Sequence, residues 1–110
     1  MTAVNQNFEM YAGDSKNIVV SVTDGSARPL DLTGASVKWI LKPTQPTSEN
    51  LIEKSTPEIV LDVYTATIKL LPVDTENLAG NYYHEAELTD QIGNVSTIMV
   101  GTVKINRSFA

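Results

Sequence analysis

Residues 80–105 read GNYYHEAELTDQIGNVSTIMVGTVKI, and they constrain the fold more than any other stretch. Tyr82, His84, Ala86 and Leu88 alternate with Tyr83, Glu85, Glu87 and Thr89, which gives a strand one mostly apolar face and one polar face. Asp90, Gln91, Ile92, Gly93 and Asn94 then break the pattern, and the Gly and Asn tolerate the positive φ of a hairpin turn. Alternation resumes through Ile98 and Val100. A hairpin with one apolar face is unstable alone in water, so the rest of the chain has to supply a second layer. The pattern predicts a β-sandwich and contains nothing catalytic.

The rest of the chain fits that expectation, with strand signals roughly every 10–15 residues. Phe8 and Met10 share a face of a first short strand that Gly13, Asp14 and Ser15 end. Ile18, Val20 and Val22 alternate in the next, and Asp24, Gly25 and Ser26 turn the chain. Pro29 keeps the following stretch extended, and Leu30 and Leu32 lead to a turn at Thr33 and Gly34. In residues 35–42, Val37, Trp39 and Leu41 point one way and Lys38, Ile40 and Lys42 the other. Trp39 is the candidate core anchor, because a buried indole removes a large apolar area from water. Residues 43–48, with two prolines, read as an exposed loop, and 51–54 as a short edge strand. Ile59, Leu61 and Val63 alternate in one further strand, and Tyr64, Ala66, Ile68 and Leu70 in another. Residues 72–78 read as one helical turn, with Asp74 capping the amides after it and Leu78 tucked beneath the sandwich. Gly101 interrupts the last strand as a bulge would, moving the inward set from Ile98 and Val100 to Val103 and Ile105. The expectation is one all-β domain over residues 1–110.

Composition narrows the function classes. A chain of 110 residues with 42% hydrophobic and 19% charged residues has the make-up of an ordinary globule. Its net charge of −5 opposes non-specific binding to nucleic acid or anionic membranes, and its eight Lys and Arg form no run. Hence neither nucleic acid nor membrane is expected as a partner. The chain has no cysteine, and MTAVNQNFEM lacks the basic segment and apolar core of a signal peptide. Synthesis in the cytoplasm is the expectation.

Few residues offer chemistry. His84, the single histidine, reads either as a general base or metal ligand, or as a core imidazole satisfied by its neighbours. The second reading is favoured, since no cysteine or other histidine is available to complete a dyad or a zinc site. Glu85 and Glu87 lie about 7 Å apart on one strand face by strand geometry. Glycosidase carboxylates normally come from different strands around a cleft, so a solvated face is the simpler reading. The run DGSARPLDL lacks calcium-loop spacing, and there is no phosphate-binding glycine loop or nucleophile motif. No catalytic, cofactor-binding or metal-binding residue is assigned, and no enzyme activity is expected. What remains is a contact surface. If the strands at 35–42, 80–90 and 95–105 share a sheet, its outer face carries Ile40, Tyr83, Val95 and Met99. Lys38, Lys42, Glu85, Glu87 and Thr97 surround them. An apolar centre rimmed by both charge signs suits protein association.

Three segments together carry a family resemblance: YAGDSKNIVVSVTD, RPLDLTGASVKWIL and LLPVDTENLAGNYYHEAELTDQIGNVSTIMVGTVKI. They resemble the immunoglobulin-like β-sandwich domain of tailed-bacteriophage structural proteins, a group that includes the N-terminal domain of the baseplate upper protein. The shared pattern places Gly13-Asp14 before the second strand and Leu32-Thr33-Gly34 before the tryptophan strand. Gly80-Asn81-Tyr82 follows an aspartate-led turn, and Gly93-Asn94 turns into the last strand. The resemblance spans residues 8–105 and rests on turn and core positions, so it specifies a fold more than a task. It implies an immunoglobulin-like antiparallel β-sandwich of about seven to eight strands. It also implies a virion component of the head, neck or tail, without reaction or cofactor, whose partners are other virion proteins or further copies of itself. A baseplate upper protein continues into further domains whereas this sequence stops at Ala110, and from that departure an isolated module is expected. The competing class is a carbohydrate-binding or adhesin-type sandwich, which requires Trp39, Tyr64 or Tyr83 to be exposed.

Overall fold

The computed structural model describes residues 4–23, 28, 30–43 and 49–109. The chain order is β1 (Val4–Asn5), β2 (Phe8–Tyr11), β3 (Lys16–Ser21), β4 (Ser36–Pro43), β5 (Ile52–Ser55), β6 (Val60–Leu61), β7 (Thr65–Leu70), the helical turn α1 (Pro72–Thr75), β8 (Gly80–Thr89) and β9 (Val95–Asn106). The turn expected at Asp24, Gly25 and Ser26 and the loop at 44–48 lie outside the described residues. Pro43, expected in that loop, instead closes β4 opposite Tyr82.

Two sheets result. The larger runs β1-β9-β8-β4-β5, with β2 also on β9, and the smaller runs β3-β7-β6. With β3, β7 and β6 facing β4, β8 and β9, this is an all-β sandwich. The described residues hold nine strands rather than seven to eight, because β1 and β6 are two-residue pieces. The sandwich is not wholly antiparallel either, since β1 and β2 run parallel to β9.

Alternation decides which side chains meet between the sheets. Val37, Trp39 and Leu41 from β4, Tyr82, His84, Ala86 and Leu88 from β8, and Ile18, Val20, Ala66, Ile68 and Leu70 from the small sheet are all buried. Trp39 and His84 are both 0% exposed. The corner entering β8 is locked by Tyr82, whose hydroxyl donates to the Ala79 carbonyl and accepts the Ala79 amide, both at 3.0 Å. This is the tyrosine corner of immunoglobulin-like sandwiches.

The hairpin forms as its sequence predicts. Asp90 Oδ1 accepts the amides of Ile92 at 3.0 Å and Asn94 at 2.9 Å, and Gly93 adopts φ 93°. The bulge, however, is not at Gly101. Ala86 pairs with Met99 and Glu87 with Thr97, which leaves Ile98 as the extra residue. Ile98 and Met99 are therefore both buried, and Val100 turns outward opposite Glu85. Gly101 has a different task. It pairs regularly with His84, and a Cβ there would run into the Gln6 carbonyl, where the chain crosses between β1 and β2.

Asp74 likewise acts in another direction than expected. Its Oδ2 accepts the amide of Leu71, before the turn, at 2.6 Å. The same oxygen meets Lys54 Nζ at 2.9 Å, and that lysine is 6% exposed. This pair ties edge strand β5 to the corner at α1.

Candidate interaction face

The outer face of the large sheet is a grid set by strand register. Across β5, β4, β8 and β9, one row is Ser55, Lys38, Glu87 and Thr97, and the next is Glu53, Ile40, Glu85 and Val100. A third row pairs Lys42 with Tyr83 and Tyr83 with Thr102. Seven of the nine residues expected on this face, Lys38, Ile40, Lys42, Tyr83, Glu85, Glu87 and Thr97, therefore form one contiguous patch.

The other two do not join it. Met99 is 0% exposed and lies in the core opposite Ala86, because the extra residue at Ile98 reverses its direction. Val95 is 59% exposed but sits at the far end of β9, opposite Thr89. Val100, half-buried beside Glu85, takes the place assigned to Met99. Glu53 and Asn50 also belong to the patch. Alternation from Ile52, an apolar residue packed against the core, was the signal that could have placed Glu53 on the outer face.

The charges on the patch are only partly engaged. Lys38 Nζ is 3.5 Å from Glu53 Oε1, and Asn50 donates to the same oxygen at 2.8 Å. The Asn50 hydrogen bond, followed by the Lys38 charge, holds the Glu53 carboxyl below its usual range. Glu85 accepts the Thr97 hydroxyl at 3.2 Å and, at 3.5 Å, that of Tyr83. Partial burial, helped by the Glu85 charge, pushes the Tyr83 hydroxyl up from its ordinary value. Among the described residues, Lys42 and Glu87 have neither hydrogen-bond nor ion-pair partners. Lys38, Ile40, Lys42, Asn50, Glu85 and Glu87 line a shallow hollow of about 200 Å³. A hollow of about 340 Å³ lies elsewhere, along residues 32–35 and 61–63, with Asp62 as its one ionisable side chain. Although larger, it carries one ionisable side chain against four in the patch hollow, so it offers less for charge-based recognition.

The other candidates are occupied structurally. Both ring nitrogens of His84 are engaged. Trp39 Nε1 donates to Nδ1 at 3.1 Å, and Nε2 stands 2.6 Å from the Gln6 carbonyl. A fully enclosed imidazole with both nitrogens in use is poorly placed to reach a substrate proton. Trp39 is sealed in the core, Tyr83 is half-buried, and Tyr64 is 49% exposed at the start of β7. Among the described residues, no three His, Asp or Glu side chains gather at metal-binding spacing. A comparison with protein-family models finds no match to this chain, and neither does a comparison with curated proteins.

Proposed function

We propose that this chain is a non-enzymatic assembly module, a structural component of a tailed-bacteriophage virion. It docks to other virion proteins through the outer face of β5, β4, β8 and β9. The observation that carries this reading is the patch centred on Ile40, Tyr83 and Val100. It combines half-buried apolar side chains with Lys42 and Glu87, two charges of opposite sign that have no partner among the described residues. Such a surface offers a partner both apolar area and charge complementarity, which fix orientation as well as affinity. The assignment to a virion rests on the resemblance of the turn and core motifs. The sugar-binding alternative loses Trp39 to the core and keeps Tyr64 as its one exposed aromatic among the three it requires. The test is mass spectrometry of phage particles purified on a density gradient. The chain should appear in the particle fraction in fixed ratio to the major virion proteins. Its presence only at the top of the gradient would contradict the virion role.

A further inference from the structure

The segment formed by β1 and β2 is held by few elements. Among the described residues, its strand pairing is with β9 alone. Between the two strands, the Gln6 amide donates to the Val100 carbonyl at 2.9 Å, and the Thr102 amide donates to Asn7 Oδ1 at 2.8 Å. The Gln6 carbonyl passes over Gly101, and there it meets His84 Nε2 at 2.6 Å. Phe8 covers the imidazole edge-on, with centroids 5.2 Å apart and planes at 84°. On the other side, Nδ1 accepts the Trp39 indole N–H at 3.1 Å. An indole N–H only donates, so Nδ1 carries no proton and Nε2–H donates to Gln6. One neutral tautomer thus bridges the β1–β2 segment to the core tryptophan.

We propose that His84 is an acid-sensitive latch, whose protonation at Nδ1 frees the β1–β2 segment from β9 while the rest of the sandwich stays folded. A proton added at Nδ1 would face the Trp39 N–H, donor against donor, so that bond is lost. The resulting imidazolium has no carboxylate beside it among the described residues. On its own strand, Tyr83 and Glu85 project to the outer face, as do Lys38 and Lys42 on β4, Glu9 on β2 and Lys104 on β9. The small sheet presents Ile18, Val20, Ala66 and Ile68 inward, with Lys69 exposed. Two lysines are placed around this layer by their contacts. Lys16 stands 4.9 Å over the Phe8 ring, and Lys54, the register partner of Trp39, is committed to Asp74 and Glu58. Besides Trp39, the ring's polar and aromatic contacts are the Gln6 carbonyl and Phe8, both in the β1–β2 segment, so departure of that segment uncovers the Nε2 side of the ring.

Burial holds His84 below its ordinary value of 6.5, against the opposing pull of the Gln6 hydrogen bond. The sign follows: the latch is fully closed above 6.5 and weakens as pH falls below it, because the open state binds the extra proton. With one proton involved, opening gains at most about tenfold per pH unit.

Amide hydrogen exchange between pH 7.5 and 5, corrected for the intrinsic rate, tests this. Protection of the Gln6, Ala12 and Thr102 amides should fall by about tenfold per unit below the onset, while β3 and β7 hold theirs. His84→Gln should flatten that dependence. Trp39→Phe removes the donor that favours the neutral ring, so protonation of the closed ring moves up toward 6.5 and the total loss of protection on acidification should shrink. Should His84→Gln fail to fold, the smaller loss in Trp39→Phe and the titration of the His84 ring in the wild type decide. Equal loss of protection in both sheets, an unchanged profile in either variant, or a native ring titrating at 6.5 would each overturn the latch.

Discussion

Trp39 sits at the middle of β4 with 0% exposure and commits its one polar group to His84 Nδ1. Two losses can therefore be separated by mutation. Trp39→Ala should cost about 3–5 kcal/mol through the lost apolar contact and the cavity left behind. Trp39→Phe keeps most of the volume and leaves Nδ1 without its donor, so it should cost about 1–3 kcal/mol. Urea unfolding at pH 7.5 would give both values, and a native emission spectrum typical of a water-exposed indole would contradict the burial behind them. Tyr83 is the opposite case. It is half-buried on the outer face, so Tyr83→Ala should change stability by less than about 1 kcal/mol yet weaken docking by about 2 kcal/mol. A Tyr83→Ala protein that unfolds as readily as Trp39→Ala would show that the tyrosine belongs to the core.

Between elements, two contacts hold the sandwich where strand pairing is sparse. Gly101 admits the Gln6 carbonyl, so Gly101→Ala should displace the β1–β2 crossing at a cost of about 1–3 kcal/mol. Chemical-shift changes confined to β1, β2 and β9 would report it, and an unperturbed Gln6 amide would refute it. Lys54 and Asp74 join β5 to α1 at 2.9 Å. Asp74→Ala should cost about 2–3 kcal/mol, at or below the range for a broken buried pair, because Glu58 stays 3.5 Å from the lysine. Thermal unfolding would measure it, and a neutral result would mean that Glu58 alone satisfies the cation. These same elements show where the sequence could be read. The β8 pattern was legible because its period of two runs unbroken. The bulge in β9 was misplaced because Ile98, Met99 and Val100 are three apolar residues in succession, compatible with either phase. The outward polar positions change parity between Thr97 and Thr102, so the break had to fall between them, but the glycine drew it to the wrong residue. Lys54 was illegible as a buried group, since a lysine in an inward phase is readable only once its acid, contributed by α1, is in view.

For the whole molecule, the turns carried the fold. The four glycines in the resemblance motifs, Gly13, Gly34, Gly80 and Gly93, are the four with positive φ among the described residues, and local sequence can specify that conformation. The face was partly legible for the same reason, as strand alternation assigns sides. What binds there is not encoded locally, because recognition depends on a surface supplied by another chain. If the chain docks as proposed, the unengaged charges of Lys42 and Glu87 should make that docking sensitive to ionic strength. Raising salt should slow association more than it speeds release, and salt-independent association would argue against a charged patch. The most direct test compares wild type, Ile40→Asp and Val19→Asp for co-sedimentation with purified phage particles, each variant first shown to unfold at the wild-type temperature. Val19 is 50% exposed on the small sheet and serves as the control. Loss of co-sedimentation in Ile40→Asp with retention in Val19→Asp is the predicted result, whereas an Ile40→Asp protein that sediments with particles as well as the wild type would contradict docking through this face.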